Sequence, residues 1–521
     1  MENASSPPDT RGLNFTLKSC IFATGCAAIV AEYTLATLAS YLLGNSIFQW
    51  TVVISLMLFS MGLGSRFSRE IREHLLDRYV LIEFALSFFC SVSAIFCYGI
   101  SAFTPHTSLV IYGAACLIGF FIGLELPLIT RINNAYESLR INISSVMEYD
   151  YYGALVGGGL FAFFLLPVLG LTYTPILLGA INLLVAGVVI WKFAALLVRP
   201  FVLRAAFAAS LTAICLAGLA AKPIVLFGEQ HKYKDKIIYQ EQTRFQKIVV
   251  TQWKNNYWLF LNGSTQFSTY DEERYHEPLI HPALQLLKER GNILVLGGGD
   301  GLAVREILKY PDVKHITLVD LDPAMTRLAR THPVFLNINH GSLNDPRVGV
   351  INRDAYQFVA TNNELYDAVI IDLPDPKSVS LSLLYSVGFY KMIRRHLKPY
   401  GAMVTQSASP LYSPDAFLCV KKSLEAAGFS VVPYQNSIPT MGQWGWNLGV
   451  KKQTMHAEAV REKLLRLDFK NIETRFINRD AMIAMTHFGK GLFEREASIE
   501  PNTEFNHKIM EYYRKGSWDV Y

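Results

Sequence analysis

The sequence predicts a two-part fold: a multi-pass α-helical membrane region, then a small β-region leading into a Rossmann-like α/β domain. Three observations carry this. Hydrophobic residues make up 51% of the 521 and charged residues 17%, with a mean hydropathy of +0.24, high for a wholly soluble chain. The apolar excess lies before about residue 222, and charge is concentrated after it. Beyond about residue 290, short apolar runs alternate with helical patterns, as in parallel βα units.

A helix needs about 20 apolar residues to cross a bilayer. Seven stretches fit: 18–43, 46–65, 79–103, 106–132, 147–170, 173–198 and 200–221, the last interrupted by Arg204. The tail before them, residues 1–17, is polar and carries Asp9 and Arg11, unlike a cleavable signal peptide. Arg66, Arg69, Arg72 and Arg78 separate the second and third stretches, and Arg131 and Arg140 the fourth and fifth. Lys192 and Arg199 lie around the sixth-to-seventh junction, whereas the connections near Asn45, Pro105 and Leu171 have no Lys or Arg. The positive-inside rule puts the arginine-bearing loops and the N-terminus in the cytoplasm. Seven crossings then leave the C-terminal part outside; an even number, with one segment re-entrant, returns it to the cytoplasm.

Glu32, Glu83 and Glu125 fall inside apolar stretches. Burying such a group is costly without a partner, so each is a functional candidate, as part of an amine-attracting cavity. The alternative is pairing with polar neighbours or, as expected for Glu83, a place near the interface. The seven cysteines show no metal-type spacing and read as small buried hydrophobes. The net charge of +5 is small for this length, and no basic stripe marks a nucleic-acid partner.

In the second part, residues 237–241, 246–253 and 257–261 read as strands, with Asn262-Gly263 as a turn. Residues 277–289 read as a helix. Four strands follow, 292–296, 315–319, 348–351 and 367–371, with helices expected over 302–309 and 323–330. The sheet is expected to be parallel and covered on both faces. Ligands of such sheets sit at the carboxyl ends of the strands, and each of these ends carries an acid: Asp300, Asp320, Asp354 and Asp372. Glycines at Gly297–Gly299 and Gly301 allow close approach of backbone to ligand. Asp320, about twenty residues after that loop, suits a ribose diol, and Asp354 suits an adenine edge. Helix capping explains one or two of these acids, but not the ordered set.

The series Gly297-Gly298-Gly299-Asp300-Gly301, Val319-Asp320-Leu321-Asp322, Arg353-Asp354-Ala355 and Ile371-Asp372-Leu373-Pro374-Asp375-Pro376 resembles the spermidine synthase family. So do Phe245-Gln246-Lys247, Leu261-Asn262-Gly263, Gln266, Asp271-Glu272 and Tyr275-His276-Glu277. The resemblance covers roughly residues 235–450. Gly123-Leu124-Glu125-Leu126-Pro127 and Asp150-Tyr151-Tyr152-Gly153-Ala154 are similar to the membrane-fused branch of that family.

The resemblance implies a methyltransferase-type Rossmann-like fold and an aminopropyltransferase. Decarboxylated S-adenosylmethionine is the implied cosubstrate, putrescine the usual acceptor, and spermidine and methylthioadenosine the products, with no metal. It implies Asp372 as general base and Asp375 and Tyr275 as amine-binding residues. Gln246, His276, Gly297, Gly299, Asp300, Asp320, Asp354 and Ala355 would bind the cosubstrate. Asp300 would hold the amino end of the aminopropyl group and repel the carboxylate of undecarboxylated S-adenosylmethionine. A homodimer and a cytoplasmic catalytic domain are further expectations of the family. One position departs from it: Met441 follows Ile438-Pro439-Thr440 where the soluble synthases usually have an amine-site tyrosine. Trp444 or Trp446 either lines that pocket or packs in the core.

The expected organisation is a tail (1–17), a membrane domain (18–222), a β-region with its first helix (230–290), a catalytic core (291–455) and a helical tail (456–521) to which no chemistry is assigned. Two other readings stay open: a methyltransferase using S-adenosylmethionine on the same fold, and a polyamine transporter or sensor with a non-catalytic synthase-like domain.

Overall fold

The computed structural model describes residues 10–43, 46–101, 103–104 and 106–518. It divides into two compact units, one ending at Lys234 and the other starting at Asp235.

The first unit is helical: α1 (Thr10–Leu43), α2 (Ser46–Phe67), α3 (Leu75–Ser101), α4 (Thr107–Asn133), α5 (Leu139–Leu160), α6 (Gly170–Lys192) and α7 (Pro200–His231). A π-helical segment, Phe161–Leu169, joins α5 to α6. Pro167 within it has no N–H to donate, which loosens the regular ladder. The chain then turns at Gly170, whose φ of +62° is open to glycine at little cost. No loop is needed for that turn, so residues 139–192 form one helical run. Among the described residues, six helices are therefore long and apolar enough to cross a membrane, where the hydropathy pattern suggested seven. The connections expected near Asn45 and Pro105 lie outside the described residues.

Glycine lets two of these helices approach closely. A Cβ on Gly64 would lie 2.1 Å from the Phe120 carbonyl oxygen, and one on Gly123 2.1 Å from that of Met61, so α2 and α4 meet backbone to backbone. Glu83 is 0% exposed and Glu125 4%, so both are enclosed within the helical unit. Glu32 is half-buried. Cys215 is exposed, unlike the expected buried thiols.

The second unit opens with an antiparallel sheet of β1 (Lys236–Gln242), β2 (Lys247–Trp253), β3 (Asn256–Leu261) and β4 (Ser264–Ser268), paired in chain order. Asn262 and Gly263, at φ +50° and +79°, make the tight β3–β4 turn. Helix α8 (Glu273–Gln285) leads into the main domain, starting four residues earlier than the pattern suggested.

That domain contains β5 (Asn292–Gly297), α9 (Leu302–Leu308), β6 (His315–Asp320), α10 (Pro323–Thr331), α11 (Pro333–Asn339), β7 (Val348–Asn352), α12 (Ala355–Thr361), β8 (Tyr366–Asp372), β9 (Leu397–Gln406), β10 (Phe429–Ile438) and β11 (Gly442–Lys451). The sheet order is β10-β11-β9-β8-β5-β6-β7. Strands β5 to β9 are parallel, but β11 runs antiparallel to β9 and β10 antiparallel to β11. The sheet is therefore mixed, not purely parallel, because the short turn between β10 and β11 leaves no room for a crossover. Along β5, Val295 joins one apolar cluster and Leu294 and Leu296 the other, so both faces are covered.

Candidate active site

The chain leaves β5 for β6 and β7 on one side and returns to β8 on the other. The carboxyl ends of β5 and β8 thus flank the point where strand order reverses, the usual place for a ligand crevice. Sequence dictates close packing there. Gly297 has φ +81°, and a Cβ on it would lie 2.0 Å from the Asp372 carbonyl oxygen. A Cβ on Gly299 would lie 2.5 Å from Asp320 Oδ2.

Asp372 ends β8. Tyr275, on α8, donates its hydroxyl to Asp372 Oδ1 at 2.7 Å. The carboxyl is enclosed by protein yet stays partly reachable by solvent. Burial pushes its pKa up to about 6; His276 works against this and Asp300 adds to it. Asp300 is 9% exposed. Its Oδ1 accepts the Leu302 N–H at 2.8 Å, and burial raises its pKa while nearby His276 lowers it.

His276 is itself held by charge. Its Nδ1 lies 3.0 Å from Glu272 Oε2, and both Glu272 oxygens accept from Arg305 Nη2 at 2.9 Å. Burial alone would lower the imidazole pKa, but Glu272 carries it up to about 8. Burial likewise opposes ionisation of Glu272, and His276 and Arg305 overcome it, down to about 2. Arg305 also binds Glu306, which pairs with His281 at 2.9 Å. The imidazolium is therefore the end of a braced network behind the acids.

Asp320 and Asp354 occupy strand ends with backbone partners. Asp320 Oδ2 accepts the Gly299 N–H at 3.0 Å and Oδ1 the Asp322 N–H at 2.9 Å; burial raises its pKa to about 6. Asp354 caps α12, accepting the Gln357 N–H at 2.9 Å, and Ala355 is the first residue of that helix. Capping thus accounts for the Asp354 geometry. Gln246 precedes β2; its carbonyl accepts from Thr243, whose hydroxyl reaches Asp322 Oδ2 at 2.8 Å.

Asp375, beyond β8, has a partner from far along the chain: Tyr513 donates to its Oδ2 at 2.7 Å. Gln406, at the end of β9, donates to Leu373 O at 2.7 Å and faces Asp375 Oδ1 at 3.4 Å. Burial raises the Asp375 pKa, and Lys377 pulls it back. The tail to which no chemistry was assigned therefore enters the site. Met441 is buried in the apolar cluster that also holds Tyr275 and Trp446. Trp446, 0% exposed, stacks on Tyr434 and lies 5.5 Å from the Tyr275 ring; it is a core residue packed against Tyr275.

Residues 272–462 match the spermine/spermidine synthase domain. Polyamine aminopropyltransferase 2 of Aquifex aeolicus is 43% identical over 96% of this chain and 98% of its own length. The chain belongs to the polyamine aminopropyltransferase family. A polyamine aminopropyltransferase of Oceanobacillus iheyensis is 37% identical over 95% of each chain. A solved spermidine synthase in complex with the transition-state analogue AdoDATO aligns with a TM-score of 0.46 at 23% identity, covering 51% of this chain and 89% of its own.

In this aminopropyltransferase, reading by motif missed Glu272, Gln406 and Tyr513 as site residues. Glu272 stood inside a recognised motif without a role. Gln406 sits at a parallel-strand end, where the topology rule alone points. Tyr513 carried no signal, because nothing local links residue 513 to residue 375.

Proposed function

We propose that this transferase moves the aminopropyl group of decarboxylated S-adenosylmethionine to putrescine, giving spermidine and methylthioadenosine. The observation that carries this is Asp372, an elevated carboxylate oriented by Tyr275 beside Asp300 and Asp375. An alkylammonium has an ordinary pKa of about 10.4 and is no nucleophile until it loses a proton. In this reading Asp372 accepts that proton. The amine lone pair then forms a C–N bond to the methylene next to the sulfonium, the C–S bond breaks, and its electrons stay on the neutral thioether of methylthioadenosine. Asp375, held by Tyr513, binds the distal ammonium. Asp300 faces the amino end of the transferred group and disfavours a substrate that keeps its carboxylate. Asp320 serves the ribose hydroxyls, Asp354 and Ala355 the adenine side, Gln246 and His276 the remaining polar edges, and the Gly297–Gly299 backbone gives clearance.

We also propose that the helical unit sits in the cell membrane. Phe163 is 87% exposed, Phe201 83% and Leu155 77%, an outward apolar surface that water would not tolerate at this density. The catalytic unit is assigned to the cytoplasm, where its nucleotide and diamine are made. Methylthioadenosine release by purified protein, with an Asp372→Asn control, tests the transferase reading. Extraction from membranes by detergent, but not by alkaline carbonate, tests the membrane reading.

A further inference from the structure

We propose that Lys377 sets the acceptor preference of the amine site: its ammonium, standing beyond Asp375, favours a diamine and repels an acceptor that carries a third positive charge. The inference rests on the reading above, in which Asp372 faces the reacting amine and Asp375 the distal ammonium.

The order of charges along the site carries it. At the reacting end, the charged groups that act on Asp372 are His276 and Asp300. At the other end, the charged group that acts on Asp375 is Lys377, while neutral Tyr513 and Gln406 supply polar contacts. Lys377 is not among the groups that act on Asp372. The series therefore runs from His276 and Asp300 through Asp372 and Asp375 to Lys377. Asp375 is half-buried and Lys377 exposed, so the lysine stands on the solvent side of the carboxylate.

Local structure keeps it there. Pro374 and Pro376 bracket Asp375 and restrict the backbone on either side. Lys377 Nζ donates to Ser264 Oγ, at the start of β4, at 2.7 Å and lies 5.8 Å from the centre of the Tyr513 ring. Its contacts are a neutral hydroxyl and an aromatic face, and among the described residues no salt bridge neutralises its charge.

Putrescine ends at Asp375, which stands between its distal ammonium and Lys377. A linear triamine with one end at Asp372 places its second nitrogen near Asp375 and its third one alkyl spacer further out, toward the lysine. Like charge there selects against the longer acceptor. The product spermidine is not hindered in the same way, because its new aminopropyl end lies on the Asp300 side. Lys377 thus discourages reuse of the product as an acceptor without impeding its formation.

The test is steady-state kinetics of the full-length protein in detergent, with saturating decarboxylated S-adenosylmethionine to fill the aminopropyl subsite. Putrescine is compared with spermidine, taken both as alternative acceptor and as competitive inhibitor. Lys377→Met should improve spermidine relative to putrescine by about fivefold, the upper range for an exposed charge pair, through KM or the inhibition constant rather than kcat. Lys377→Arg keeps the charge and should retain the wild-type preference. Added salt should narrow the difference between wild type and Lys377→Met. An unchanged ratio in Lys377→Met would overturn the proposal, and so would a preference lost equally in Lys377→Arg. Absence of release with any amine would instead count against the transferase reading. Calorimetric titration of both amines into the cosubstrate complex then reads the same ratio, and an unchanged value in Lys377→Met again overturns the role of the lysine.

Discussion

In the proposed reaction Asp372 is the proton acceptor, and its pKa gives a pH signature. Only the ionised form accepts a proton, so raising the pKa to about 6 moves the acidic limit of activity upward. We expect kcat/KM to fall below about pH 6. The kcat limb should lie lower, because bound ammonium and sulfonium favour the carboxylate. Tyr275→Phe removes a donor that stabilises the anion, so it should shift the kcat/KM limb to higher pH and leave nucleotide binding intact; a pH–rate profile decides this. His276 titrates in the opposite sense. Its pKa, raised above the ordinary 6.5 to about 8, means that its stabilising contribution is fully present below pH 6.5 and is lost as pH rises through 8. Glu272→Gln should remove that support, seen as a lower histidine pKa by NMR and a weaker hold on the cosubstrate. The acids at the strand ends and Tyr275-His276 were legible in the sequence because each lies in a short motif. Glu272 was visible without its role, since an ion pair to Arg305 spans 33 positions.

Among the elements, the C-terminal tail is where sequence reading stopped short. Residues near its start dock on α8: Glu277 accepts the backbone N–H groups of Arg475, Phe476 and Ile477 at 2.6–2.8 Å. Glu277→Ala takes the acceptor from three backbone donors, of which that of Ile477 is on a buried residue, a loss of about 1–3 kcal/mol, which a lowered unfolding temperature would register. Further on, Tyr513 is clamped by Trp518, whose ring stacks at 4.5 Å and whose Nε1 donates to Tyr513 O at 2.7 Å. Tyr513→Phe should raise the KM for the amine roughly tenfold, the worth of one hydrogen bond to a charged group, with little change in the KM for the nucleotide. The Tyr513–Asp375 pairing spans 138 positions, a contact that local pattern cannot reveal. Strands β5 to β8 were readable because short apolar runs closed by Gly, Asp or Asn are distinctive. The β10–β11 pair was not, because its antiparallel placement depends on a turn geometry with weak sequence marks.

At the scale of the whole molecule, the division between an apolar helical part and a charged α/β part follows composition alone, since burial in lipid and burial in a protein core demand different surfaces. The number of crossings does not follow, because residues 139–192 stay helical through Pro167 and Gly170. That run also bears on sidedness. Six crossings from a cytoplasmic N-terminus return the chain to the cytoplasm; two crossings within the run would make seven and expose the catalytic unit outside. We expect a thiol-reactive, membrane-impermeant probe to label a cysteine introduced at exposed Tyr400 only after cells are opened.

The most direct measurement is methylthioadenosine release by the purified full-length protein supplied with decarboxylated S-adenosylmethionine and, separately, putrescine, cadaverine, agmatine or spermidine. Release that depends on putrescine and falls by about 10²–10⁴ in Asp372→Asn is the predicted result. Tight nucleotide binding with no release for any of these amines would contradict the transferase assignment.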